Sequence, residues 1–189
     1  PAQEGSMSYE ALRFCLHCQK RRPPRGVPWG VSESGFYAFD SNLNYQYKAH
    51  GVPRLGLKRG LGSELVISSY SSFLTLTTDP QGSLRNLARL ERLGMTGRCG
   101  FYEAADFPPG RTARGGYSVV RSYMAHHVGM SLVACVNAVM DDRFVRRFLR
   151  DPAHELDLLV DNTAHLLSML DAGELDFAVL EGIFDKRQY

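Results

Sequence analysis

The feature that most constrains the fold is a helix whose two ends are both marked by specific residues. Asp79 is a favoured N-cap residue, and Pro80 suits the first helical position because the amide hydrogen that it lacks would be unpaired there. Apolar residues follow at helical spacing until Gly94, a residue type that commonly ends helices; they are Leu84, Leu87, Leu90 and Leu93. The pattern predicts a helix over residues 80–93.

Most of the remaining chain is also compatible with helices. A first helix is predicted over Tyr9–Lys20, ending before the turn-forming run "RRPPRGVP". A buried helix is predicted over Leu65–Asp79, although its Ser, Thr and β-branched residues also favour a strand. The strongest helical pattern covers Val119–Met140. Further helices are predicted in "DDRFVRRFLRDP", in "AHELDLLVDNTAHLLSML" and, with a weaker pattern, over Glu174–Tyr189.

Two stretches between these helices are rich in glycine and aromatic residues. Phe36–Leu57 roughly alternates in character and is closed by Gly and Pro, which indicates strands or an ordered loop. Met95–Gly116 has the composition of a long ordered loop, and compact domains seldom contain such a loop without a functional reason. The predicted fold is therefore mainly α, with about six helices joined by long aromatic-rich loops and with room for a short β-hairpin.

The composition excludes several classes of protein. The chain has 189 residues, of which 44% are hydrophobic and 22% are charged, enough for one globular domain with a core. The net charge is only +2, and the one basic run, "KRRPPR", is short and interrupted by prolines, so no nucleic-acid partner is expected. No apolar run reaches the ~18 residues that a membrane helix needs, and no signal-peptide pattern opens the chain. A soluble, cytoplasmic domain is expected.

The cysteines and histidines do not predict a metal site or a cofactor. Cys15 and Cys18 form "CLHC", half of a zinc-binding pattern that nothing else in the chain completes, so reduced thiols, buried or half-buried, are expected. His126 and His127 are adjacent, whereas a zinc-binding pair on a helix prefers a spacing of four residues. Each histidine is expected either to bind a hydroxyl or carboxylate group or to pack in the core.

Two glutamates are candidates for acid–base chemistry, because both lie in loops rich in glycine and aromatic residues. Glu33 occurs in "PWGVSESGFY" and Glu103 in "GRCGFYEAAD". An acid beside apolar rings loses hydration, which raises its pKa toward the range of a general acid, whereas a second acid in a polar setting stays ionised. Glycoside hydrolysis uses two carboxylates in this way. Alternatively, each glutamate binds only backbone N–H groups or an arginine such as Arg98 or Arg111.

The residues around the two glutamates strengthen the case for a sugar-binding site. Aromatic rings supply flat faces on which sugar rings stack, and amide side chains bind hydroxyl groups. The aromatic residues are Trp29, Phe36, Tyr37, Tyr45, Tyr47, Phe101 and Tyr102, and the amides are Asn42, Asn44 and Gln46.

Three long motifs carry a resemblance to a known family. The segments "PWGVSESGFYAFDSNLNYQYKAHGVPRLGLKRGL", "GRCGFYEAADFPPGR" and "VVRSYMAHHVGMSLVA" resemble successive blocks of the glucoamylase-like domain of bacterial cyclic β-1,2-glucan synthases. The resemblance covers about residues 22–151 of a single partial domain, 1–189, and leaves 152–189 as a helical C-terminal extension. It implies part of an (α/α)6 toroid in which loops at one end form the active site.

The resemblance also implies a function and the residues that perform it. Such a domain is expected to act on β-1,2-glucan as a retaining transglycosylase or a hydrolase, within a larger synthase polypeptide associated with the inner membrane. Glu33 and Glu103 match the expected catalytic pair, and their individual roles stay open. The positions expected to line the sugar subsites are Trp29, Tyr45, Gln46, Tyr47, Lys48, Tyr102, His126 and His127.

The chain departs from the family in sequence and in length. Val128 stands where the relatives usually have Gln, and His50 where they usually have Phe, so a polar contact near the histidines is expected to be lost. A toroid of twelve helices needs well over ~300 residues, so this chain corresponds to about half of one. A piece of a larger toroid would expose an apolar edge, whereas a truncated relative would have repacked that edge with polar residues.

The residues and the resemblance together leave three alternative functions for the chain. The leading hypothesis is an enzyme domain that processes β-1,2-glucan with two carboxylates. The alternatives are a non-catalytic carbohydrate-binding segment and a helical interaction segment. The last of these predicts that Glu33 and Glu103 lie far apart on opposite surfaces.

Overall fold

The computed structural model describes residues 7–53, 55–56, 59–112 and 116–149, together with residues 165, 168, 169, 172 and 174. The chain forms two compact units, Pro1–Arg150 and Asp151–Tyr189, and all the elements named below belong to the first. The helices predicted within residues 153–189 lie, apart from those isolated positions, outside the described residues.

The described part of the first unit contains five α-helices and seven short strands, and helices make up most of its regular structure. The helices are α1 (Met7–Arg21), α2 (Tyr70–Leu74), α3 (Pro80–Arg92), α4 (Ala125–Val139) and α5 (Arg143–Leu149). The strands are β1 (Ser34–Phe39), β2 (Tyr45–Lys48), β3 (Val66–Ser68), β4 (Thr96–Gly97), β5 (Gly100–Phe101), β6 (Ala104–Asp106) and β7 (Ser118–Val120). A single 3-10 turn, Pro109–Arg111, follows β6.

Helix α3 confirms the prediction made from its end signals. The Asp79 carboxylate accepts the N–H of Gly82 at 3.0 Å and also pairs with Lys20. Gly94, just beyond the helix, has φ +75°. This left-handed conformation is unfavourable for most residues that carry a side chain but not for glycine. Leu87 and Leu90, on the inner face of the helix, are buried.

The stretch Phe36–Leu57 contains most of the hairpin of β1 and β2, and its described residues after Lys48 are irregular. The strands pair antiparallel, with Gly35 opposite Tyr47, and a bulge interrupts the register before Phe39. Asp40 holds the connecting turn, because its Oδ1 accepts the backbone N–H groups of Asn42 and Asn44 at 2.8 and 2.9 Å. The hairpin therefore brings residue 47 close to the loop that carries Glu33.

A three-stranded antiparallel sheet, in the order β3-β6-β7, overturns the prediction of one helix over Leu65–Asp79. The first part of that segment is β3, which pairs with β6, and only the five residues of α2 are helical. Every residue of β3 and β6 is buried, and Val66 and Ile67 are β-branched. Strands of three residues are too short to show an alternating pattern, so tertiary pairing decided their conformation.

Two further predictions were wrong in their boundaries. The helix expected from Val119 begins only at Ala125, because β7 pairs with β6 and the next four residues carry no helix. The stretch Met95–Gly116, predicted to be a loop, contains β4, β5, β6 and the 3-10 turn. Strand β6 depends on its pairing with the remote β3, and β7 on its pairing with β6, contacts that local periodicity does not report, whereas β4 and β5 form a tight local pair.

Strand β6 connects the two clusters of buried apolar residues. Ala105 belongs to the larger cluster, which also contains Val31, Val52, Ile67, Leu87, Leu90 and Met95. Ala104 belongs to the smaller cluster with Val66 and Val120, against which Phe36 and Tyr45 pack. Because β6 is fixed on both faces, the residue that precedes it, Glu103, is held in a defined position.

Large apolar side chains are exposed on α1 and along α4 and α5. Val139 is 84% exposed, Leu132 62% and Phe144 50%, and on α1 Leu12 and Phe14 are half exposed. The exposed apolar side chains are concentrated on α4, whereas α5 also exposes Arg143, Arg146 and Arg147. No helix within the described residues is long and apolar enough to cross a membrane.

Candidate active site

Glu103 lies at the centre of a buried polar cluster. Its side chain is almost completely buried, and its Oε1 accepts the backbone N–H of Gly35 at 3.1 Å. Both carboxylate oxygens lie 2.9 Å from Nδ1 of His127. Its backbone is also held, because its N–H donates to Ser122 and its carbonyl accepts from Ser69. The carboxylate is thus fixed by donors from β1 and from α4.

His127, in the first turn of α4, links Glu103 to a tyrosine on the hairpin. Donation of an Nδ1 hydrogen to Glu103 leaves Nε2 of the neutral imidazole as an acceptor. The Tyr47 hydroxyl lies 3.4 Å from that nitrogen and 3.3 Å from Nε2 of His126. His127 is buried, whereas His126 is half-buried. The two adjacent histidines therefore converge on one hydroxyl.

Tyr70, on α2, completes the cluster and was not among the candidate residues predicted from the sequence. Its ring stacks on the His127 imidazole, with centroids 3.9 Å apart and planes at 16°. Its hydroxyl donates to the backbone carbonyl of Glu33 at 3.3 Å and lies 2.5 Å from Oγ of Ser32. No local pattern could have identified this residue, because its partners are remote in sequence.

The two predicted catalytic glutamates lie in one region of the molecule. The Glu33 side chain is exposed, while its carbonyl is bound by Tyr70. Burial raises the pKa of Tyr70, the hydrogen bond with Ser32 lowers it, and the nearby carboxylates of Glu103 and Glu33 raise it further. Both carboxylates are therefore near enough to raise the pKa of the same phenol. A helical interaction segment would instead place the two glutamates on opposite surfaces.

A small cavity opens beside Glu103 and His127. It has a volume of about 140 Å³ and a mostly apolar lining. Burial raises the pKa of the Cys135 thiol in its wall. The other lining residues include Tyr70, Phe73, Cys99, Phe101, Tyr123, Met124, Val128, Ser131 and Leu132. The cavity gives the buried carboxylate a mostly apolar neighbour.

The remaining predicted sugar-binding residues occupy different settings. Trp29 is buried, and both its backbone groups are bound by the Asn86 amide. Tyr45 packs tilted against Phe39, with centroids 4.8 Å apart, and Gln46 pairs with Phe36 across the hairpin. Tyr102 packs against Tyr123, which precedes α4. Of the predicted sugar-binding residues, His127 contacts Glu103 directly, and the Tyr47 hydroxyl lies near both His127 and His126.

Lys48 belongs to a second cluster, under the β1–β2 hairpin. Lys48 pairs with Glu64, which also accepts from Nη1 of Arg111 at 2.7 Å. Nε of Arg111 donates to the fully buried Asp106 at 2.8 Å, and that carboxylate accepts the backbone N–H of Tyr37 as well. Arg111 therefore stabilises the hairpin, and it is not the partner of Glu33 or Glu103 considered from the sequence.

The charges of this second cluster shift the pKa values of two members strongly. Hydrogen bonds from Arg111 and Lys48 lower the pKa of Glu64 to about 2, against a smaller opposing effect of burial. Burial, followed by the Lys48 charge, lowers the pKa of His50 to about 4. His50 stacks edge-on against Phe36, and its buried Nε2 has no hydrogen-bond partner among the residues that the structure describes.

The thiols differ in part from the sequence-based expectation. Cys18 and Cys135 are half-buried as predicted, but Cys15 and Cys99 are exposed; all four are free. Cys15 lies on α1 with its side chain exposed. Among the described residues, no group of three or more His, Cys, Asp or Glu side chains could hold a metal ion.

Comparison with known proteins places the chain in a family. Residues 9–152 match the Glycoamylase family, described as "Putative glucoamylase". The chain belongs to this family. It is 47% identical over 141 residues to the cyclic beta-(1,2)-glucan synthase NdvB of Rhizobium meliloti strain 1021. That alignment covers 74% of this chain but 5% of the synthase, so the chain spans a small part of that relative.

Solved structures with a similar backbone include members of the glucoamylase group. Structures titled "putative glucoamylase" from Bacteroides fragilis and Bacteroides caccae are 22% and 21% identical, with TM-scores of 0.49 and 0.48, and each comparison covers 74% of this chain and 29% of that structure. An endo-beta-1,2-glucanase from Chitinophaga pinensis, solved with sophorotriose and glucose, is 20% identical with a TM-score of 0.43, covering 67% of this chain and 27% of the enzyme.

Proposed function

We propose that this chain is part of a carbohydrate-active domain that processes β-1,2-glucan with two carboxylates, Glu33 and Glu103. The observation that carries the proposal is the fixation of the buried Glu103 carboxylate, by Gly35 and His127, beside the loop of Glu33. The 47% identity to a cyclic glucan synthase supports β-1,2-glucan as the substrate. The proposed fold of the complete domain is an (α/α)6 toroid within a larger synthase polypeptide, to which this chain contributes about half of the helices.

The proposed mechanism follows from the requirements of glycosidic bond cleavage. One carboxylic acid protonates the leaving oxygen, and the other carboxylate attacks the anomeric carbon to form a glycosyl-enzyme. Attack on that intermediate by a sugar hydroxyl gives transfer, and attack by water gives hydrolysis. In this scheme Gly35 and His127 hold the Glu103 oxygens in place, so that little reorganisation is needed during the reaction. Tyr47, His126, Tyr45, Gln46 and Tyr102 are proposed to contact glucosyl units.

The first experiment replaces each glutamate in the complete polypeptide and follows linear β-1,2-glucan by chromatography of the products. Glu33→Gln and Glu103→Gln are each expected to lower kcat at least ~10³-fold, because a carboxamide can neither attack nor exchange the required proton. Glu91→Gln, at an exposed position of α3, is the matched control and should retain wild-type turnover. Wild-type activity in either site variant would remove that residue from the pair, and glucan binding without products in the wild type would support a non-catalytic binding segment.

A second experiment assigns the roles of the two glutamates. Glu33→Ala and Glu103→Ala variants are incubated with azide and a dinitrophenyl β-glycoside of a β-1,2-linked gluco-oligosaccharide, whose leaving group departs without protonation, and the glycosyl azide is examined by NMR. Azide that replaces a missing nucleophile attacks the β-linked substrate directly and gives the α-azide. Azide added to a variant without the acid/base attacks the glycosyl-enzyme and gives the β-azide. Formation of the same anomer by both variants would contradict a double-displacement mechanism with this pair.

A further inference from the structure

The loop of Glu33 and the carboxylate of Glu103 meet at one tyrosine side chain. Tyr70 is 6% exposed, and its hydroxyl donates to the Glu33 carbonyl at 3.3 Å. Because a phenol has one hydrogen, Ser32 Oγ–H, at 2.5 Å, must then donate to the Tyr70 oxygen. Two successive residues of the loop are therefore held by one hydroxyl, immediately before the strand whose Gly35 N–H binds Glu103.

The ring of the same tyrosine holds the other side of the site. It stacks on His127 with centroids 3.9 Å apart and an angle of 16° between planes. This contact restricts rotation of the imidazole, whose Nδ1 lies 2.9 Å from both oxygens of Glu103. A rotated imidazole would leave a buried carboxylate without one of its two identified donors, which is costly in the interior.

We propose that Tyr70 is a positioning residue that sets the relative placement of the two glutamates, through its hydroxyl toward the Glu33 loop and through its ring toward His127 and Glu103. The inference rests on the proposed function for its effect on catalysis, while the coupling between the two loops is a property of the chain itself. Burial raises the pKa of Tyr70, so the phenol stays protonated at neutral pH and remains a donor to the Glu33 carbonyl.

The test separates the hydroxyl from the ring. Tyr70→Phe keeps the stacked ring and removes the hydroxyl, and Tyr70→Leu removes both. Tyr117→Phe is the matched control: its hydroxyl also donates to a backbone carbonyl, that of Leu93 at 3.1 Å, and its ring packs on Phe107, a residue outside the Glu103 cluster. NMR spectra of the chain report the Ser32 to Gly35 amides and the His127 imidazole, and kcat and KM on β-1,2-glucan are measured in the complete polypeptide.

Tyr70→Phe should move the Ser32 to Gly35 amide resonances, leave the His127 imidazole resonances in place, and lower kcat about tenfold with little change in KM. Tyr70→Leu should also move the His127 resonances and lower kcat by about 100-fold. If Tyr70 had a purely structural role, its substitution would lower the amount of folded protein, and the molecules that still fold would keep the wild-type kcat. Tyr117→Phe is expected to have no larger effect than this. An unchanged kcat in the folded Tyr70 variants would overturn the inference, and so would His127 resonances that stay in place in both variants.

The two proposals fail in different ways. A wild-type polypeptide without turnover on β-1,2-glucan would refute the proposed function, and the NMR spectra would still decide whether Tyr70 couples the two loops. Full turnover in the wild type together with kcat within twofold of wild type in both Tyr70 variants would refute the positioning role alone.

Discussion

At the scale of single residues, the candidate site consists of side chains whose partners are remote in sequence. Glu103 is bound by residue 35, which lies 68 positions away, and by residue 127, 24 positions away. Tyr70 reaches Glu33 across 37 positions. The sequence identified the residue types needed for glycosidic chemistry, but the hydrogen bonds that fix their geometry depend on which distant segments pack together.

His50 gives the clearest pH-dependent prediction at this scale. Its pKa is about 4 in the folded chain, below the ordinary value near 6.5. Burial and the Lys48 charge lower this pKa, and the carboxylates of Glu64 and Asp106 oppose that shift. The unfolded chain therefore binds the proton more readily than the folded chain. The contribution of neutral His50 to the free energy of unfolding is complete above pH 6.5 and is lost as the pH falls toward 4. Replacing His50 with Phe should remove this loss, and Phe can keep the edge-on contact with Phe36.

The measurement is urea unfolding of His50→Phe and wild type at pH 7 and pH 5. Between these values the variant is expected to lose less of its free energy of unfolding than the wild type, by on the order of 1–2 kcal/mol. His17→Gln, at an exposed position of α1, should follow the wild type. Parallel pH dependence of His50→Phe and wild type would show that His50 is not the titrating group.

At the scale of elements, local signals and tertiary pairing each decided part of the structure. Helix α3 begins directly after its capping residue Asp79 and ends just before Gly94, so its bounds could be predicted from the segment between these two residues. Strands β3, β6 and β7 have three residues each, too few for a periodic pattern, and they exist because each is hydrogen-bonded to a neighbour. The helical predictions over Leu65–Asp79 and from Val119 were wrong for that reason.

The cap of α3 can be tested directly. Asp79→Ala should lower the free energy of unfolding by about 1–2 kcal/mol, since it leaves the N–H of Gly82 without its acceptor and removes the ion pair with Lys20. Asp79→Asn keeps a capping oxygen but not the charge, and it should recover most of the loss. Chemical denaturation at neutral pH gives both values, and equal loss in the two variants would mean that the ion pair, not the cap, is the stabilising contact.

At the scale of the whole molecule, the described surface of α4 exposes several apolar side chains, and Phe144 at the start of α5 adds another. Val139, Leu132 and Phe144 are each at least half exposed, and α1 adds Leu12 and Phe14. Apolar area left in water favours association, because contact between two such surfaces removes it from solvent. The isolated chain is therefore expected to self-associate.

Sedimentation velocity over a range of concentrations tests this expectation. The double substitution Val139→Lys and Phe144→Glu places a cation at the end of α4 and an anion at the start of α5, where the helix dipoles favour them, and should shift the chain toward the monomer. Leu84→Glu, at an exposed apolar position of α3, is the control and should associate like the wild type. A wild-type chain that stays monomeric at high concentration would contradict the prediction.

Capping residues and long motifs, which can be read locally, were enough to predict the mainly helical character, the bounds of α3 and the family, while the hairpin stayed one alternative beside an ordered loop. The sequence by itself also singled out Glu33 and Glu103 as candidates. Only the tertiary structure brought Glu103 against Gly35 and His127 and placed Tyr70 between the two loops, and only it assigned Lys48 and Arg111 to a separate cluster. The physical reason is that stacking, burial and hydrogen bonding between distant segments arise when the core forms, and no single segment contains that information.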